Sequence, residues 1–276
     1  MAGLIGETLR NWKRGLRIAR ARAEIGARRV SARPHGLGAP LIVSLTSYPA
    51  RFATLPLVLR ALMAQTVPAD RVILWLAGAH MDAVTPEIRE TGVELRACPD
   101  WRSYKKIVPT LALAPDAFIV TADDDAYYGP RWLEGLVARA GAGVVCHRAH
   151  RIALGADGLP LPYARWQRNI ARPERSALVF PTGVGGVLYA PGVFHPDVGD
   201  PALFMALAPS ADDVWLYWMH RLTGSRPEKV GGRYRIIEWP GTQQQNLRGL
   251  NLAGDGNDRA VRAMIARYGF PPAEGA

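Results

Sequence analysis

The stretch Ala117–Tyr128, AFIVTADDDAYY, is an apolar run that ends in three consecutive aspartates. Phe118, Ile119 and Val120 predict a strand covered on both faces, as in the middle of a parallel sheet. Side chains alternate along an extended backbone, so Asp123 and Asp125 are expected on one side and Asp124 on the other. Two carboxylates at the carboxyl end of a core strand make a hard-oxygen site for Mg2+ or Mn2+, and open α/β sheets bind ligands at those strand ends. Three adjacent acids repel one another unless a cation or hydrogen bonds offset the charge. The competing reading is a solvated acidic turn that caps a helix starting near Pro130.

Working outward, 276 residues are enough for one large α/β domain or two small ones with a substantial core, and 49% hydrophobic and 21% charged residues are ordinary for a soluble globular protein. No apolar run approaches the roughly 20 residues of a membrane span. The first residues lack an apolar signal region, so no secretory signal is expected. Cys98 and Cys146 are the only cysteines, which points to a reducing, cytoplasmic setting. The formal charge is +10, and Arg10, Lys13, Arg14, Arg17, Arg20, Arg22, Arg28, Arg29 and Arg33 face only Glu24 over that span. Leu9, Trp12, Leu16, Ile18, Ala19 and Ile25 interleave with them and predict a basic amphipathic helix. An anionic membrane surface, a nucleic acid or plain solvation are its three readings. Residues 34–40, PHGLGAP, form a linker into the next unit.

That unit opens with a strand at Leu41–Tyr48, a turn at residues 49–52 and a helix over residues 53–65. Strands follow at Arg71–Ala77 and Val93–Ala97, then a helix over Tyr104–Leu113 carrying Lys105 and Lys106, the acidic strand, and a helix over Pro130–Ala140. No G-x-G-x-x-G turn and no Walker sequence follows the first strand, which disfavours dinucleotide and P-loop enzymes. Further on, Ser176–Phe180 and Thr182–Tyr189 predict strands around a turn containing Gly183, Gly185 and Gly186. Asp212 and Asp213 open another helix, with Ser210 as N-cap and Asp213 completing a capping box. His147 and His150 are spaced for a metal on a helix but fall beside a strand, and a zinc site is not expected. Tyr163, Trp166, Trp215, Trp218 and Trp239 are candidates for sugar stacking or for core packing. Residues 243–251 read as a polar, turn-rich segment, with Asn257 capping a last helix over Asp258–Tyr268.

The segments VSLTSYPARF (43–52), RVILWLA (71–77), SYKKIVPTL (103–111) and VTADDDAYYGPRWLEGL (120–136) together resemble the GT-A class of glycosyltransferases. The likeness is to bacterial family-2-like enzymes of surface-polysaccharide synthesis and, more distantly, to exostosin-like transferase domains; it covers Leu41 to Phe270. It implies a GT-A type nucleotide-binding α/β/α sandwich with a mixed central sheet. Residues 41–276 would form one catalytic domain, 41–140 holding the nucleotide sugar and 141–276 the acceptor, after a basic helix and linker at 1–40.

By the same resemblance, Asp125 is the principal ligand of Mn2+ or Mg2+, Asp123 lies near the ribose or the metal, and Asp124 lies near the donor sugar. Thr46 and Tyr48 belong to the loop that receives the base. Arg51, with Lys105 or Lys106, faces the phosphates, and Gly185 lies in the segment lining the donor-sugar and acceptor pocket. Asp213 matches the general base of inverting members, with Asp212 as second choice. A C-terminal histidine often completes the metal shell in this class, and no histidine follows His220. The implied activity is metal-dependent, inverting transfer of a sugar from a nucleoside diphosphate, UDP first, to a glycan or lipid-linked acceptor at the cytoplasmic face of a membrane. A sugar-nucleotide pyrophosphorylase is the near rival, and it would want a glycine-rich loop after the first strand. A nucleic-acid-binding protein using residues 1–33 and an inactive carbohydrate-binding scaffold are the rivals from other classes.

Overall fold

The computed structural model describes residues 2–241 and 255–273. Strands β1 (Leu41–Thr46), β2 (Arg71–Ala77), β3 (Glu94–Cys98) and β4 (Phe118–Thr121) are parallel neighbours in the order β3-β2-β1-β4. Leu41, Ile42, Val43 and Leu45 of β1 are all buried, because apolar layers cover both faces of these central strands. One layer packs α2 (Leu55–Met63) and α3 (Pro86–Arg89) against the sheet. The opposite layer brings Ile107 and Val108, at the head of α4 (Val108–Leu113), together with α6 (Pro201–Leu207) and α7 (Asp212–Arg221). The expected α/β/α sandwich is therefore present.

Beyond β4 the sheet reverses direction. β9 (Val187–Tyr189) lies antiparallel between β4 and β5 (Val144–Cys146), and β10 (Glu228–Lys229) and β7 (Glu174–Arg175) complete eight strands. The sheet is mixed, as the resemblance implied. β8 (Val179–Pro181) does not pair with β9; it joins β6 (Ala149–Arg151) in a separate two-stranded sheet. The glycines from 183 to 186 thus carry the chain from one sheet to the other rather than closing a hairpin.

Several boundaries differ from expectation for identifiable reasons. The helix expected over 104–113 splits into a 3-10 turn at Arg102–Lys106 and α4, because Pro109 has no N–H with which to continue the preceding turn. The helix expected over 130–140 contracts to α5 (Trp132–Val137). The last helix, α8 (Gly256–Tyr268), starts after Asp255 in a left-handed conformation (φ 58°), not after a cap at Asn257. The segment 243–251 lies outside the described residues. All five aromatic residues named for stacking are buried: Trp215, Trp218 and Trp239 are fully enclosed, and Tyr163 and Trp166 pack with Phe180. They are core.

Among the described residues, the N-terminal helix α1 (Ala2–Ala27) meets the body through its last turns, where Ala21 and Ile25 join the apolar layer beside α2. The buried Arg28 closes the joint. It donates to the Ala61 carbonyl at 2.8 Å and the Tyr128 carbonyl at 2.9 Å, and forms a two-pronged bridge with Glu24.

Candidate active site

β4 ends at Thr121 and the chain turns at Asp124 and Asp125, so strand alternation does not reach the acids. Asp124 and Asp125 share Arg51 instead: the guanidinium pairs with Asp124 and lies 3.0 Å from Asp125. Ser47, just past β1, donates its hydroxyl to Asp124 at 2.5 Å. Asp123 engages Lys106 at 3.1 Å, and its N–H donates to the Tyr128 hydroxyl at 2.7 Å. The strand alternation behind the expected grouping of Asp123 with Asp125 is absent, while the Asp123 charge still acts on Asp125 more strongly than the Asp124 charge does. Burial raises the Asp124 carboxyl above its ordinary value despite Arg51. Burial and then the neighbouring Asp123 charge push Asp125 up to about 7.

A second acidic pair closes the site from the far half of the chain. Asp212 and Asp213 open α7, and the Lys106 ammonium bridges Asp212 at 3.0 Å and Asp123. The Gly183 N–H donates to Asp213 Oδ1 at 2.9 Å. Ala211, not Ser210, occupies the N-cap of α7, and Gly183 and Lys106 take up the two carboxylates. Burial and the adjacent Asp212 push Asp213 up to about 7, with Lys106 pulling the other way. Gly183 is a glycine for a spatial reason: a β-carbon there would lie 2.9 Å from Lys106 Nζ and 3.0 Å from Asp213 Oδ1.

The structure brings together Arg51, Lys106, Asp123, Asp124, Asp125, Asp212 and Asp213, and gives the other named residues partners of their own. Lys105 is buried and pairs with Asp100. The Thr46 hydroxyl is committed to the Trp75 carbonyl at 2.8 Å. Tyr48 supports Arg51, accepting from its Nε at 3.2 Å with the guanidinium 5.3 Å from the ring centroid. Gly185, at φ 113°, shapes the crossing between sheets, and its carbonyl accepts from the Trp132 indole at 2.6 Å. A ring nitrogen of His147 lies 2.8 Å from the Trp132 carbonyl, and His150 accepts the Asn169 N–H, so the two rings serve different loops.

The Gly183 amide as a partner of Asp213 and the support from Ser47 and Tyr128 were missed. So was Glu238, whose charge acts on Asp125 across a bridge between Ala126 and Glu238. A lone glutamate in a loop carries no sequence signal. No group of three metal-ligating side chains is assembled among the described residues. The donor set still suits a hard divalent cation: Asp123, Asp124, Asp125, Asp212 and Asp213 are carboxylates, and among the described residues Arg51 and Lys106 are cations that pair with them.

No protein-family profile matches the chain, and no curated protein matches it. Among solved structures, glucosyl-3-phosphoglycerate synthase from Mycobacterium tuberculosis, in complex with Mn2+, UDP and phosphoglyceric acid, is similar at 16% identity and a TM-score of 0.49. That match covers 93% of this chain and 84% of the other. The same enzyme with Mn2+, UDP and glucosyl-3-phosphoglycerate is similar at 15% identity and a TM-score of 0.47, over 86% and 82%. A 4-diphosphocytidyl-2C-methyl-D-erythritol synthase is similar at 15% identity and a TM-score of 0.46, over 77% and 98%. At such values the likeness assigns this chain no activity.

Proposed function

We propose that the chain is a divalent-metal-dependent, inverting glycosyltransferase that moves a sugar from a nucleoside diphosphate, UDP first, to a glycan or lipid-linked saccharide. One observation carries this reading: Lys106 and Gly183 draw the helix-borne pair Asp212–Asp213 onto the strand-end triplet Asp123–Asp125. A surface acidic turn has no use for a second, distant acidic pair. A site that must hold a diphosphate on one side and deprotonate an alcohol on the other needs both.

In this mechanism Asp123 and Asp125 would hold Mn2+ or Mg2+. The bound metal would supply Lewis-acid neutralisation of the departing diphosphate. Arg51, held by Tyr48 and Asp124, adds a fixed cation beside the phosphates. Lys106 does the same next to Asp123 and pairs with Asp212. Asp213, oriented by the Gly183 N–H and raised to about 7, takes the acceptor hydroxyl proton as the new glycosidic bond forms. Direct attack by that hydroxyl inverts the anomeric centre. The two free cysteines support a reducing, cytoplasmic setting.

Ligand-observed NMR with UDP-, GDP- and dTDP-sugars, with and without Mn2+, on wild type and Asp125→Ala tests the reading. Metal-dependent binding of one nucleotide sugar that the variant loses supports it, whereas no binding under either condition sinks it. Turnover of a nucleotide sugar to a sugar 1-phosphate in the presence of pyrophosphate would favour the nucleotidyltransferase class instead.

A further inference from the structure

α1 has two apolar stripes that do not coincide. Ile18, Ala21 and Ile25, followed by Arg28, face the body and are wholly or partly buried there. Leu9, Trp12 and Leu16 recur at helical spacing and are exposed, Trp12 at 60%. At about 100° per residue the centres of the two stripes lie roughly 180° apart around the helix. The outer stripe therefore points away from the face by which α1 meets the described body. Lys13, Arg17 and Arg20 flank it along one side and Arg22 along the other, all exposed, with no acidic residue between Leu9 and Arg22. No helix among the described residues is long and apolar enough to cross a membrane, so α1 can meet a bilayer only along its length.

We propose that the outward face of α1 docks the protein on an anionic lipid bilayer. The three exposed apolar side chains enter the headgroup boundary, and the flanking cations engage lipid phosphates. A tryptophan is suited to this depth, since its ring is apolar and its N–H stays wet. A helix that bound nucleic acid would use the same cations but would gain nothing from Leu9, Trp12 and Leu16 left in water. The charge and the apolar stripe together favour the bilayer.

The joint at Arg28 gives the docking a direction. Arg28 donates to the Tyr128 carbonyl, Tyr127 donates to Glu24 at 3.0 Å, and the Tyr128 hydroxyl receives the Asp123 N–H. The helix is thus tied to the residues that immediately follow the acidic triplet. A protein held by α1 keeps that site at a set orientation to the lipid surface, as an acceptor anchored in the same bilayer requires.

Co-sedimentation of the full chain with vesicles of phosphatidylcholine, alone or mixed with phosphatidylglycerol, tests the proposal without reference to any donor. The expected result is binding to the mixed vesicles. It should fall at least about tenfold in Leu9→Ser/Trp12→Ser/Leu16→Ser and lose its preference for anionic lipid in Lys13→Glu/Arg17→Glu/Arg20→Glu. These positions are exposed, and circular dichroism and nucleotide-sugar binding report whether the fold and the acidic site survive in each variant. The proposal is overturned if anionic vesicles do not retain the wild type, or if the serine variant binds them equally well. A chain that prefers duplex DNA or RNA to vesicles at the same salt overturns it in favour of nucleic acid. A wild-type dimer that the serine variant dissolves, with no vesicle binding, overturns it in favour of a second copy.

Discussion

Gly183→Ala separates the chemistry of the site from the stability of the fold. The added β-carbon would sit 2.9 Å from Lys106 Nζ, 3.0 Å from Asp213 Oδ1 and 3.9 Å from Asp123 Oδ1. Carbon in ordinary contact needs about 3.5 Å or more, so the ammonium and the carboxylate must each retreat by roughly half an ångström. Both are ends of side chains, and position 183 is outside the left-handed region that favours glycine. The substitution also removes freedom from the unfolded chain, a gain of about 0.4–1 kcal/mol, so the melting temperature should hardly move. Catalysis should suffer far more, since misplacing a reacting group by an ångström costs up to ~100-fold; a ~10- to 100-fold drop in kcat is expected. Gly186→Ala is the reverse control: φ is 91°, and the β-carbon would fall 2.4 Å from the Trp132 ring. Left-handed strain and overpacking together should cost about 2–4 kcal/mol there, visible as a lower melting temperature. Steady-state kinetics and thermal unfolding of both variants decide the matter. A Gly183→Ala protein that turns over at the wild-type rate would refute the placement of Asp213 and Lys106 at the reacting centre.

The raised carboxyls make activity and stability depend on pH in opposite directions. Asp213 at about 7 must be ionised to act as base, so kcat/KM should fall on the acid side of neutrality, as a pH–rate profile would show. For Asp125 and Asp213 the folded values lie above the unfolded carboxylate value near 4, so the native state holds more protons between those limits. Their contribution is complete at the acid end and is lost as pH rises through about 7, and unfolding followed against pH should show that decline. Mn2+ with UDP should raise the melting temperature more at alkaline than at acid pH, because the cation then meets ionised carboxylates. Arg51→Met leaves Asp124 and Asp125 buried without their cation and should cost about 3–5 kcal/mol in denaturant unfolding along with the loss of metal-dependent nucleotide binding. Lys105→Met should leave that binding intact in titrations, whereas Lys106→Met should cut turnover sharply and move the acid limb of the residual rate profile upward.

The parallel half of the fold was legible because it is written in runs. Leu41–Val43, Val72–Ala77 and Phe118–Val120 are apolar without interruption because both faces of the sheet are covered, and that signal is local. The antiparallel half is built from strands of two or three residues, too short to carry a period, and their pairing is decided by distant partners. The same division runs through the site. Asp123–Asp125 and Asp212–Asp213 stood out as clusters. Which of two adjacent lysines reaches them did not, because Lys105 and Lys106 lie on a 3-10 turn, where neighbouring side chains diverge by about 120° rather than 100°. Gly183 was visible as a glycine and its amide was not, since a backbone donor has no letter of its own.

Lys106 also explains why two acidic clusters can share one site before any ligand arrives. Its ammonium is buried, and burial alone would favour the neutral amine, yet the charges of Asp123, Asp212 and Asp213 hold it firmly protonated. One cation between two halves of the chain supplies the attraction that brings β4 and α7 to the same place. It does not compensate every carboxylate, as the displaced Asp125 and Asp213 record. The remainder is a standing excess of negative charge at the strand ends, partly open to solvent on Asp123 and Asp125. A fold that keeps such an excess where burial makes it costly, with Arg51 and Lys106 pairing with it among the described residues, suits positive charge from outside. That is why the response of the melting temperature to a divalent ion should depend on pH through the same carboxyls.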